Sequence, residues 1–84
     1  MNGVETVQNE SETMVGPRLR ALRADRAISL RELNGLTGLA YGYLSEMECG
    51  HKTNPTLDTL RRLALAYGLT TSQLVSYLEW GNSR

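Results

Sequence analysis

Apolar residues recur at spacings of three and four along most of this chain, the pattern of helices that each turn one face inward. Leu19 and Leu22 form the first pair, and Leu30, Leu33 and Leu36 follow. Next come Leu44 and Met47, then Leu57, Leu60, Leu63, Ala64 and Tyr67, and last Leu74 and Leu78. The spacing predicts five helices: residues 17 to 26, 29 to 37, 40 to 49, one capped at Thr56 and ended by Gly68, and one from 71 to 78 or 80. Before Pro17 the pattern stops. Val4, Val7, Met14 and Val15 are too few to bury much surface, so residues 1–15 read as a flexible acidic arm. A folded unit over 16–80 and a short tail over 81–84 complete the organisation.

Local capping residues sharpen two of these helix starts. Ser29 is followed three residues on by Glu32, with Ile28 and Leu33 flanking them, which is a capping box with a hydrophobic staple. Thr70, Gln73, Leu69 and Leu74 repeat the arrangement before the last helix. Gly38 stands where the second helix should end, since glycine enters the left-handed conformation without a Cβ penalty. Gly50 closes the third helix in the same way.

Two short helices joined by a tight glycine-containing turn, as over Ser29–Gly50, form a helix-turn-helix unit, whose second helix enters the DNA major groove. The chain resembles the phage-repressor type of helix-turn-helix, the Cro/CI or xenobiotic-response-element family, from about Pro17 to Leu78. The likeness is carried by Leu19-Arg20-x-Leu22-Arg23, Ser29-Leu30-x-Glu32-Leu33, Gly38, Tyr43-Leu44-Ser45, Met47-Glu48-x-Gly50, Asn54-Pro55-Thr56-Leu57 and Leu63-Ala64-x-Ala66-Tyr67-Gly68-Leu69. It implies a compact five-helix, lambda-repressor-like DNA-binding domain with the helix-turn-helix at helices two and three.

The resemblance also implies roles. Tyr41, Gly42, Ser45 and Glu46 fall at the base-facing positions of the recognition helix. None of them makes the bidentate contacts that arginine, lysine, asparagine or glutamine make to guanine or adenine, and Glu46 suits only the amino group of cytosine. The competing reading takes Tyr41 and Glu46 as exposed surface and Gly42 as plain loosening of the helix. Ser29, Arg31, Lys52, Thr53 and Asn54 are candidate phosphate contacts, and Tyr43 is another if its hydroxyl reaches the backbone instead of staying in the core. Arg23 and Glu48 would form an ion pair locking helix one to helix three. Asn34 departs from the family, which usually has alanine there. Either the helix crossing opens slightly or the Asn34 amide bonds a backbone group across the turn.

Composition agrees with helices. Fourteen leucines stand against five valines and isoleucines, with no phenylalanine, and strands favour β-branched and aromatic residues. Eighty-four residues allow one domain. No apolar run approaches the roughly 18 residues of a membrane span, and the acidic amino terminus lacks a basic-then-apolar signal pattern, so a cytoplasmic location without a membrane partner is expected. Cys49 is the sole cysteine and His51 the sole histidine. Two ligands are too few for structural zinc, so no metal is expected. With no nucleophile at motif spacing and no phosphate loop, neither enzyme activity nor a cofactor is expected.

The formal charge is zero, yet Glu5, Glu10 and Glu12 place three negative charges in residues 1–16 and leave three net positive charges on the rest. Arg18, Arg20, Arg23, Arg26 and Arg31 fall close together against Asp25 alone. The reading that follows is a sequence-specific regulator of transcription that binds double-stranded DNA as a homodimer, with Tyr77 and Trp80 as candidate dimer contacts. The rival is a protein-interaction module on the same fold, an antitoxin or anti-repressor with a protein partner and weak or no DNA binding.

Overall fold

The computed structural model describes residues 2–52 and 54–80, with side chains described from Met14 onward. Among them are five helices and no strand: α1 (Asn2–Asp25), α2 (Leu30–Thr37), α3 (Tyr41–Glu48), α4 (Leu57–Ala66) and α5 (Thr71–Trp80). The tail at 81–84 lies outside the described residues.

The first helix departs from expectation. It starts at Asn2, not at Pro17, so the helix runs through the stretch read as a flexible acidic arm and Pro17 lies inside it. Glutamate and glutamine, which recur in the sequence of this stretch, are good helix formers. An apolar stripe is needed only where a helix packs, so its absence before Pro17 did not argue against one. Pro17 lacks the amide that would bond one turn back and forfeits one hydrogen bond of the ladder.

α1 packs against α3 and α5, α4 against α5, and α2 bridges α3 and α4. The core takes Leu19 and Leu22 from α1, Leu33 from α2, Leu44 and Met47 from α3, and Leu63 and Ala64 from α4. Tyr67, Leu74 and Leu78 close it. Leu36 and Leu57, expected on the inward faces, are each 61% exposed. The buried neighbours are Thr37 and Thr59. Thr37 continues the face of Leu30 and Leu33 one turn on, as the 3.6-residue period requires, whereas Leu36 lies about 100° away from it. Burying a threonine requires a partner for its hydroxyl. Thr37 Oγ1 donates to the Leu33 carbonyl at 2.7 Å and accepts from the Leu39 amide at 3.1 Å. Thr59 Oγ1 accepts from Thr56 Oγ1 at 3.1 Å.

Gly16 is buried at the point where α1 crosses the end of α3. A Cβ there would stand 2.8 Å from the carbonyl oxygens of both Met47 and Glu48. No larger residue fits without moving the two helices apart.

Candidate nucleic-acid interface

The helix-turn-helix is held by bonds at each of its joints. At the start of α2 the Ser29 amide donates to Glu32 Oε1 at 2.8 Å, and the Glu32 amide donates to Ser29 Oγ at 3.0 Å. Both halves of the capping box are therefore made. At its end Gly38 takes φ 77°, and its amide donates to the Asn34 carbonyl at 2.9 Å. Asn34 Nδ2 donates to the Leu39 carbonyl at 2.6 Å, so its side chain bonds the backbone across the turn. From α4, Arg62 adds a further tie. Its Nη1 donates to the Thr37 carbonyl at 3.0 Å while Nε holds Asp58 Oδ2 at 2.8 Å.

The turn thus fixed sets the direction of α3. Leu44, Met47 and Glu48 are buried, and Tyr41, Gly42 and Glu46 face outward, with Ser45 half-buried beside them. Tyr41 is 51% exposed, and Gly42 has open space where a Cβ would be. Tyr43 packs half-buried against the core, its hydroxyl 3.4 Å from Thr59 Oγ1. Beyond α3, Gly50 is left-handed at φ 88°, and the amides of His51 and Lys52 turn back onto the Glu46 carbonyl at 2.9 and 3.3 Å. Arg31, Lys52 and Asn54 are exposed, as is Ser29. Thr53 lies outside the described residues.

Arg23 and Glu48 are brought together. Nε meets Oε2 at 2.7 Å and Nη2 meets Oε1 at 2.9 Å, a bidentate pair, and Nη1 donates to the Ile28 carbonyl at 2.7 Å. Hydrogen bonding to Glu48 raises the Arg23 pKa against the opposing effect of burial. Beneath this pair Tyr67 is buried, and its pKa is pushed up to about 12, chiefly by burial and then by the charge of Glu48. The Arg26 guanidinium lies over the Tyr67 ring, 5.6 Å from its centroid.

The arginine cluster is turned inward more than its sequence spacing indicates. Arg18 Nη1 donates to the Leu78 carbonyl at 2.8 Å, and Arg26 Nε to the Tyr67 carbonyl at 3.1 Å. Together with Arg23 they tie α1 to the ends of other helices, leaving Arg20 and Arg31 as the exposed members of the cluster. Arg18, Arg26, Arg62 and Gly16 were not singled out from the sequence as structural ties, because their partners are backbone carbonyls distant along the chain. Among the described residues no group of three histidines, cysteines or carboxylates could hold a metal ion, and no helix is long and apolar enough to cross a membrane.

Residues 15–76 match the family described as a helix-turn-helix domain. The chain belongs to this family, in its phage-repressor branch. It is 41% identical over 63 residues to the HTH-type transcriptional regulator DdrOP3 of Deinococcus deserti, covering 75% of this chain and 48% of that protein. It is 35% identical over 63 residues to the HTH-type transcriptional regulator y4dJ of Sinorhizobium fredii, covering 75% of this chain and 80% of that one. The chain thus spans about half the length of the first relative and most of the second. In three dimensions it is similar to the clp gene regulator ClgR from Corynebacterium glutamicum, with a TM-score of 0.70 and 31% identity over 81% of this chain and 71% of that one.

Proposed function

We propose that this chain is a sequence-specific DNA-binding regulator of transcription that acts in the cytoplasm as a homodimer on promoter or operator DNA. The observation that carries this reading is the outward face of α3, with Tyr41, Gly42, Ser45 and Glu46 on a helix whose entry is fixed by Gly38, Asn34 and Arg62. A helix held this firmly and free of covering structure is suited to the major groove. The relatives named as transcriptional regulators support it. Residues 16–80 form the binding unit. Ser29, Arg31, Tyr43, Lys52, Thr53 and Asn54 position the backbone of the duplex, while the α3 face reads bases. Two copies joined through α5, with Tyr77 and Trp80 in the contact, would set their recognition helices on half-sites about 34 Å apart.

The test is a gel shift with DNA from upstream of the gene, against a scrambled duplex, at low and moderate salt. A retained preference for the upstream sequence at moderate salt is the expected result. Equal, weak binding to both duplexes overturns it. The second reading, a protein-interaction module, is favoured by one finding: Arg18, Arg23 and Arg26 are engaged with other parts of the fold, so three of the five clustered arginines are drawn away from phosphates.

A further inference from the structure

Three hydroxyls are linked from the start of α4 to the side of α3. The Thr59 amide donates to Thr56 Oγ1 at 3.1 Å, Thr56 Oγ1 donates to Thr59 Oγ1 at 3.1 Å, and Thr59 Oγ1 lies 3.4 Å from the Tyr43 hydroxyl. A hydroxyl carries one proton and accepts through its lone pairs, so the first two bonds decide the direction of the third. Thr56 has given its proton to Thr59, and Thr59 still holds its own. Thr59 is 5% exposed, and among the described residues the Tyr43 oxygen is the acceptor left for that proton. The reverse arrangement, with Tyr43 donating inward, would strand a buried donor at a cost in free energy. The chain of bonds therefore runs one way, outward from the α4 cap, and the proton it leaves unused is that of Tyr43.

The strongest donor of the three thus stands at the open end. A phenol is more acidic than an aliphatic alcohol, and each bond in such a chain polarises the next. Tyr43 is half-buried with its ring against the core, while Thr56 is exposed at the end of the loop that carries Lys52 and Asn54. We propose that Thr59, on α4 and outside the helix-turn-helix, is a positioning residue for DNA binding: it holds the Tyr43 hydroxyl by its oxygen and leaves the phenolic proton for one backbone phosphate. This rests on the DNA-binding reading above and deepens it at a single contact, where Tyr43 touches phosphate and Thr59 acts only through Tyr43. A neutral donor adds affinity without releasing a counterion, which separates this contact from those of Arg31 and Lys52.

Four full-length variants test it: Tyr43→Phe, Thr59→Val, Thr59→Ser and the double Tyr43→Phe/Thr59→Val, each checked for helix content by circular dichroism. Tyr43→Phe should weaken binding to the upstream and scrambled duplexes alike by about tenfold, the loss of one hydrogen bond to a charged group. Its salt slope should stay at the parent value. Thr59→Val should weaken binding by a smaller factor, Thr59→Ser should bind as the parent does, and the double variant should bind as Tyr43→Phe does alone. Urea unfolding of the same chains without DNA reads the bond itself, and there the effects of Tyr43→Phe and Thr59→Val should be non-additive. Additive effects in urea would overturn the hydroxyl chain whatever happens with DNA. A parent that binds DNA no better than Tyr43→Phe, or a Thr59→Val effect undiminished in the Tyr43→Phe background, would overturn the positioning role. A parent that binds neither duplex would overturn the DNA reading, and the phosphate with it, while the urea result stands apart.

Discussion

The Arg23 guanidinium holds the Glu48 carboxylate through two parallel hydrogen bonds of 2.7 and 2.9 Å, with the Glu48 side chain only 5% exposed. This pair ties α1 to the last residue of α3, and Arg20 stands 3.9 Å from the same carboxylate. Desolvating two charges offsets much of their attraction, so the pair fixes the orientation of α3 more than it adds net stability.

Breaking one partner is a different matter, because it leaves the other charge buried. Arg23→Ala, which strands the 5% exposed Glu48 carboxylate, should destabilise the fold by about 3–5 kcal/mol. Glu48→Arg and Arg23→Glu should each be at least as harmful, and the double reversal less harmful than the worse single change. Urea unfolding of the four chains checks this, and a double reversal no better than the worse single would remove the coupling.

Gly16→Ala should lose stability although alanine is the better helix former. The propensity gain is about 0.8–1.0 kcal/mol. Against it, the new methyl meets two backbone oxygens at 2.8 Å, neither of which can move without α3. Overpacking of this kind costs about 1–3 kcal/mol. The midpoint of thermal unfolding should fall, and any operator preference should weaken with it as α3 is displaced.

Tyr67 predicts an alkaline limit. Its hydroxyl is buried and has no hydrogen-bond partner among the described residues, and its folded pKa stands at about 12 against 10.0 for the ordinary group. Between those values the unfolded chain has lost the proton that the native chain keeps, so stability is fully present below pH 10 and falls as pH rises toward 12. A two-unit shift corresponds to roughly 2–3 kcal/mol. Tyr67→Phe removes both the orphaned hydroxyl and the titration, so it should be no less stable at pH 7 and should show a flatter decline above pH 10. Denaturant melts at pH 7, 9, 10 and 11 measure the difference.

What could be read in advance was local. The capping boxes at Ser29 and Thr70 and the left-handed Gly38 depend on residues within a few positions of one another, and both boxes are made in full. Asn34 was legible as a choice between two outcomes, and its bond to the Leu39 carbonyl decides between them. Leu36 and Leu57 were misplaced because threonine is not scored as apolar. Its buried hydroxyl is satisfied through nearby atoms, so Thr37 and Thr59 take the inward positions. The long start of α1 was missed because periodicity detects packing, not helix. Gly16 gave no sign, since its neighbours are carbonyls of α3, and the arginines read as charge because sequence does not reveal which of them cap helix ends.

That inward turn of the arginines sharpens the expected salt dependence of DNA binding. The observed affinity falls with salt with a slope of about 0.9 per phosphate neutralised. Arg31 and Lys52 are exposed beside the helix-turn-helix, so Arg31→Ala and Lys52→Ala should each lower the slope by about one and leave the preference among sequences unchanged. Arg18→Ala and Arg26→Ala should do the opposite. They remove bonds to the Leu78 and Tyr67 carbonyls, so stability falls while the salt slope stays at the parent value. Glu46→Gln should strengthen binding to all duplexes by removing a negative charge from the exposed face of α3, and it should narrow the difference between operator and scrambled DNA. Titrations of the five variants by fluorescence anisotropy between 50 and 300 mM salt separate these classes. An unchanged slope in both Arg31→Ala and Lys52→Ala would mean that the backbone of DNA does not lie along this edge of the helix-turn-helix.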